Sequence, residues 1–180
     1  LLSAELEVVP AGRARSCGFD ESMVLGYGQD DRVCSYPSFI AQLQAGELER
    51  TAICLLVDKE EIGSVGATGM TSMFFENTVA EIMALAGEQG DLPLRRALAA
   101  SNMLSSDVSA GIDPLYANAF DAKNAGMLGH GLVFNKYTGA RGKSGSNDAN
   151  AEYMGKIRGI MDAGNVTFHT CELGKVDQGG

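Results

Sequence analysis

Four carboxylates in three separated stretches, Asp30, the pair Glu60 and Glu61, and Asp107, carry the clearest chemistry in the chain. Each lies at the edge of a stretch patterned as regular structure. Ala52 to Val57 is a run of six apolar residues, suited to a strand buried on both faces, and it breaks at once into Asp58-Lys59-Glu60-Glu61. Ser101 to Asp107 repeats the arrangement, a strand-like stretch ending on an acid. Asp30 and Asp31 precede an apolar set, Val33, Tyr36, Phe39, Ile40 and Leu43, whose later members have helical spacing, with Gly46 suited to the helix end. Ligands of open α/β sheets bind beyond the carboxyl ends of the strands, so acids gathered there can hold a cation or move a proton. Carboxylates suit hard or borderline divalent cations, and one that bridges two metals about 3.5–4 Å apart makes a hydrolytic two-metal centre. A neighbouring Glu that does not ligate is then the natural general base. The plainer readings are a solvated turn after Val57 and a helix cap at Asp30 or Asp31, although two acids exceed what a cap requires.

The elements that must position these acids alternate along the chain. Ala4 to Pro10 is patterned as a strand, followed by an irregular basic stretch with Arg13 and Arg15 and a turn-rich segment from Gly18 to Gln29. Thr71 to Glu88 is expected as a long helix and Leu92 to Ala100 as a shorter one. Gly131 to Tyr137 is expected as a strand, Tyr137 to Asn150 as a polar loop, Ala151 to Ala163 as an amphipathic helix and Val166 to Cys171 as a strand. Interleaved strands and helices predict an α/β fold with a mainly parallel sheet. Gly63, Gly66 and Gly69 favour a tightly turning backbone behind Glu60 and Glu61, but their spacing is not that of a dinucleotide fingerprint. Gly142-Lys143-Ser144 imitates the end of a phosphate-binding loop, yet Tyr137 stands where its first glycine is needed.

A chain of 180 residues, 45% apolar, can bury one sizeable core. Fourteen basic against 23 acidic residues give a net charge of −9, which opposes binding to nucleic acid or to an anionic membrane. There is no membrane-span-length apolar run and no signal-peptide layout, so a cytoplasmic location is expected. Cys17, Cys34, Cys54 and Cys171 are widely spaced and signal neither a zinc ribbon nor a redox dithiol. The opening Leu1-Leu2 on a strand-like run and the close at Asp177-Gln178-Gly179-Gly180 are expected of part of a longer protein.

Tyr27-Gly28-Gln29-Asp30-Asp31-Arg32-Val33-Cys34, Asp58-Lys59-Glu60-Glu61-Ile62-Gly63-Ser64, Ser105-Ser106-Asp107 and Asp113-Pro114-x-Tyr116 resemble the successive motifs of the aspartyl aminopeptidase and aminopeptidase I family of dinuclear zinc peptidases. Order and intervals match over nearly the whole chain. The resemblance implies a three-layer α/β sandwich with a mainly parallel central sheet. It makes residues 1–20 the end of an inserted β-rich dimerisation lobe and 21–180 part of the catalytic domain. It implies that Asp30 bridges two metal ions, that Glu61 ligates one and Asp107 the other, and that Glu60 is the general base. The metals would be zinc, with manganese or cobalt as alternatives, and the substrates peptides with a free N-terminus. Dimers building a tetrahedral dodecamer are implied as well.

The family's two His ligands have no counterpart in context: His130 lies in Gly129-His130-Gly131 and His169 in a strand pattern, so both read as structural or surface residues, with His130 the better candidate for a substrate contact. The isolated chain is therefore expected to have little activity. Ala110 and Asp113 stand where aspartyl aminopeptidases carry His, which moves the chain towards the bacterial, aminopeptidase I-like branch and leaves the preferred N-terminal residue open. Lys136, Arg141 and Lys143 read as solvated surface near a substrate-approaching region. Two other functions compete with the aminopeptidase: a catalytically dead scaffold subunit of the same family, and a related two-zinc amidohydrolase or deacetylase.

Overall fold

The computed structural model describes residues 2–4, 6–140 and 144–172, with side chains left aside at 137–140 and 144–147. Leu1, Arg141, Gly142, Lys143 and the closing Asp177 to Gly180 lie outside the described residues. The chain divides into two compact units, Leu1–Asp107 and Val108–Gly180.

The first unit opens with a short antiparallel hairpin, β1 (Arg15–Cys17) and β2 (Met23–Leu25), in which Ser16 faces Val24. Helix α1 (Gln29–Gln44) follows, with Gly28 at its N-cap and Pro37 inside it. Asp30 and Asp31 depart from helical geometry, joined by a cis peptide, and neither caps the helix. Helices α2 (Phe74–Leu85) and α3 (Asp91–Ala99) complete the unit. Asp91 opens α3, where the exposed amides favour a carboxylate, and pairs with Arg95 one turn on at 2.7 Å. Leu94 of α3 is its buried apolar side chain.

In the second unit, a 3-10 helix, Pro114–Ala119, is capped by Asp113, whose carboxylate accepts from the Leu115 N–H at 2.8 Å. Strands β3 (Leu132–Ala140), β4 (Ser144–Asp148) and β5 (Phe168–Glu172) form one sheet in the order β4-β3-β5. β3 pairs antiparallel with β4 and parallel with β5, and the crossover that a parallel pair requires is helix α4 (Ala151–Ala163). Asn150 caps α4 by accepting from the Tyr153 N–H at 2.9 Å. Ile157 of α4, Ala125 and Cys171 are buried, and Phe134 meets Phe168 edge-on across the parallel pair with ring centres 5.8 Å apart. Gly131 is required at the start of β3: its φ is +86° and a Cβ there would overlap the Thr167 carbonyl.

The helices fall where the periodicity predicts, with Phe74–Leu85 shorter than the expected 71–88 and Ala151–Ala163 as expected. The expected polar loop from Tyr137 to Asn150 instead contains β4, because the neighbouring β3 supplies a ladder that Gly, Ser and Asn would not form alone. Residues 6–10, expected as a strand, carry no regular structure. Neither do Ala52 to Val57 and Ser101 to Asp107 form ladders, since no described strand lies beside them to accept their hydrogen bonds. The mainly parallel sheet is thus represented by the β3-β5 pair, in a smaller mixed sheet.

Candidate metal centre

Two stretches bring acids together in the first unit. The non-helical turn at Asp30 and Asp31 swings both carboxylates to the N-terminal end of α1, where they meet Asp107. One carboxylate oxygen from each of Asp30, Asp31 and Asp107 lies within 4.8 Å of the others. Asp31 is half-buried and its two oxygens differ: Oδ2 accepts from the Ser35 hydroxyl at 2.9 Å, whereas Oδ1 is buried without a hydrogen-bond partner.

Glu60 and Glu61 lie in a tight turn directly after the apolar run. The Gly63 N–H bonds the Glu60 carbonyl at 2.8 Å, and the Ser64 N–H bonds that of Lys59 at 2.7 Å. Thr71 closes the loop through its hydroxyl on the Ser64 carbonyl at 2.7 Å. Gly69, buried inside this loop, has no room for a side chain, because a Cβ would overlap the Ser64 and Val65 carbonyls. Desolvation, followed by the charges of Asp107, Glu61, Asp30 and Asp31, pushes the Glu60 carboxyl above the ordinary range. Glu60 therefore feels all the acids of the cluster, while Glu61 acts on Glu60 from outside the 4.8 Å group.

Cys34 lies in the first turn of α1 that has helical geometry, next to Asp31. Burial and the adjacent Asp31 carboxylate raise its thiol, and Ser106 and Asp107 also face it. In the sequence Asp31 stands out only as one acid more than a cap requires, and Cys34 only as part of a motif; the structure sets Cys34 beside Asp31.

The two histidines are in the other unit. His169 Nε2 accepts from the Met127 N–H at 3.0 Å, and Nδ1 lies 3.2 Å from the His130 carbonyl, which can only accept. The imidazole is thus the neutral tautomer with its proton on Nδ1, both nitrogens engaged. His130 is exposed and meets His169 edge-on, with ring centres 6.2 Å apart. Lys136 pairs with Asp148 on the neighbouring strand.

Like charges this close repel, and a buried carboxylate oxygen without a donor is costly; a divalent cation relieves both, so the donor set fits one. The arrangement is a cluster of carboxylates able to hold a cation, on an α/β scaffold. The chain belongs to the aminopeptidase I zinc metalloprotease (M18) family, which it matches over residues 1–180. It is 62% identical over 179 residues to a probable M18 family aminopeptidase 1 of Clostridium acetobutylicum, covering 99% of this chain and 38% of that protein. A Thermotoga maritima relative of the same description is 41% identical over 180 residues, covering 99% of this chain and 40% of its own length. The crystal structure of aminopeptidase I from Clostridium acetobutylicum superposes with a TM-score of 0.88 at 60% identity, over 99% of this chain and 38% of that one. The chain thus spans about two fifths of the length of these relatives.

Proposed function

We propose that this chain supplies most of the metal-binding acids and the general base of a metallo-aminopeptidase, which removes the N-terminal residue of peptides. The observation that carries the reading is the convergence of Asp30, Asp31 and Asp107 within 4.8 Å beside a Glu60 of raised proton affinity. Asp30 would bridge two divalent ions, with Asp107 on one and Glu61 on the other, and the family's description supports zinc. Bound zinc supplies Lewis-acid polarisation of the scissile carbonyl and lowers the pKa of the attacking water towards about 7. Glu60 holds the other half of the chemistry. Its carboxylate would take the water's proton during attack and pass it to the leaving amine. The tight turn from Lys59 to Ser64 orients it, and the apolar run behind it fixes where that turn begins.

In this reading residues 1–20 end an inserted dimerisation lobe, 21–180 belong to a three-layer catalytic domain, and the whole protein is a cytoplasmic homo-oligomer, with dimers building a dodecamer. The test is a full-length chimaera carrying this chain in place of the matching part of the Clostridium relative. Release of amine from aminoacyl amides should need a free α-amine, stop with chelator and return with zinc. A chimaera that folds and binds zinc yet releases nothing would replace the enzyme by a scaffold subunit; hydrolysis indifferent to the α-amine would replace it by an amidohydrolase.

A further inference from the structure

The hydroxyl of Ser35 departs from what other hydroxyls on the helices of this chain do. A serine or threonine inside a helix commonly turns back onto the carbonyl four residues before it. Thr78 donates to the Phe74 carbonyl at 2.7 Å, Ser38 to that of Cys34 at 2.8 Å, and Ser101, just past α3, to that of Ala97 at 2.8 Å. Ser35 instead reaches the side chain of the residue four before it, Oδ2 of Asp31, at 2.9 Å. Both residues are half-buried, so the bond is partly shielded from competing water.

The bond does not serve to cap α1. A carboxylate near a helix start usually accepts from the free backbone amides there. Here the N-cap is Gly28, without a side-chain cap, and the other Asp31 oxygen, Oδ1, is buried with no hydrogen-bond partner. The surroundings of the carboxylate are repulsive instead: Asp30 and Asp107 each bring an oxygen within 4.8 Å, and Glu60 senses all three acids. Asp107 arrives on a stretch anchored apart from α1, where the Arg50 guanidinium donates to the Ala100 carbonyl at 2.6 Å. A carboxylate so placed gains by rotating about its side-chain bonds away from the other acids. The Ser35 hydroxyl opposes that rotation.

We propose that Ser35 is a positioning residue of the metal centre: its hydroxyl holds the Asp31 carboxylate turned towards Asp30 and Asp107, so that the acids stand assembled before a cation arrives. The proposal rests on reading these acids as a metal centre, and it names where part of the order in that centre comes from. A hydrogen bond donated to an ionised carboxylate is stronger than one between neutral groups, which suits a single hydroxyl to the task. A group already held in its binding orientation loses little freedom when the cation binds, so the hold is returned as affinity. Ser35 lies in the part of α1 with helical geometry, whereas Asp31 lies in the irregular turn before it. The regular helix is thus the fixed base from which that turn is held.

The experiment is titration calorimetry with zinc on the full-length chimaera of this chain and the Clostridium relative. Ser35→Ala should weaken zinc binding about 10–100-fold, the usual loss when a group that orients a metal-binding side chain is removed. Alanine is the better helix former, so the substitution does not endanger α1 itself. Ser38→Ala removes a hydroxyl that bonds only backbone and should leave the affinity within about twofold. In an Asp31→Asn background the charge to be held is gone, and there Ser35→Ala should cost less than about threefold, a non-additivity that general weakening of the helix does not produce. Unchanged affinity in Ser35→Ala, an equal loss in Ser38→Ala, or an undiminished loss in the Asp31→Asn background would each overturn the proposal and leave the metal centre standing. A parent chimaera that binds no zinc would overturn the metal-centre reading and this proposal with it.

Discussion

The imidazole of His169 accepts a hydrogen bond from the Met127 backbone N–H while its other nitrogen donates to the carbonyl of His130. The ring thereby ties β5 to the segment that leads into β3, and it is committed to that task on both sides. Removing it in His169→Ala leaves a half-buried N–H unpaired and should cost about 1–3 kcal/mol. His169→Gln, which keeps an acceptor and a donor, should recover part of the loss. Urea midpoints of the three proteins check this, and a midpoint unaltered in the Ala variant would refute the lock.

Asp107→Asn and Asp30→Asn each remove a charge from the cluster, and each should weaken zinc binding on the order of 100-fold, at or above the effect of losing an outer ligand partner. Titration calorimetry on the folded variants reads it. Equal affinity in either variant would remove that residue from the centre.

Asp31→Asn separates repulsion from binding. In chelator the variant should unfold at higher urea than the parent, because one of three crowded negative charges is gone while the Ser35 hydroxyl keeps an acceptor. With zinc the order should narrow or reverse. A lower midpoint in chelator would mean that Asp31 is held by attraction rather than tolerated against repulsion.

Glu60 gives the pH dependence a sign. Its folded-state pKa is raised, so without metal its contribution to stability is fully present below the ordinary carboxylate range and is lost as pH rises through the raised value. Stability of the parent relative to Glu60→Gln should therefore fall between acid and neutral pH in chelator. Paired denaturation curves across that range test it; a relative stability that rises with pH contradicts the assignment.

Gly69→Ala should displace the loop that carries Glu60, since the new methyl has only the Ser64 and Val65 carbonyls to enter. By comparison, Asn150→Ala should cost about 1 kcal/mol through loss of the α4 cap and leave zinc affinity unchanged. Measuring stability and zinc affinity on both variants distinguishes a site defect from a general one.

Sequence patterning was sufficient where an element needs only its own residues. Helix α4 is bounded by its Asn150 cap, and its apolar spacing brings Ile157 inward. It was insufficient where a neighbour decides: β4 exists because β3 lies beside it, and 52–57 lacks a ladder because no described strand pairs with it. At the site, the motif context singled out Asp30 and Asp107, which the fold brings together, and Glu60, which feels both. Asp31 escaped because an acid before a helix has an ordinary explanation, and only the departure from helical geometry turns it inward.

The bond from Arg50 to the Ala100 carbonyl makes the stretch between Arg50 and Glu60 a measuring rod. With the origin held, a residue added or removed shifts the acids by up to about 3.3 Å, more than a metal–oxygen bond of about 2 Å. Side-chain identity along 52–57 can therefore drift among apolar types, whereas its length cannot. A single deletion there would disarm the centre while leaving every acid in place in the sequence.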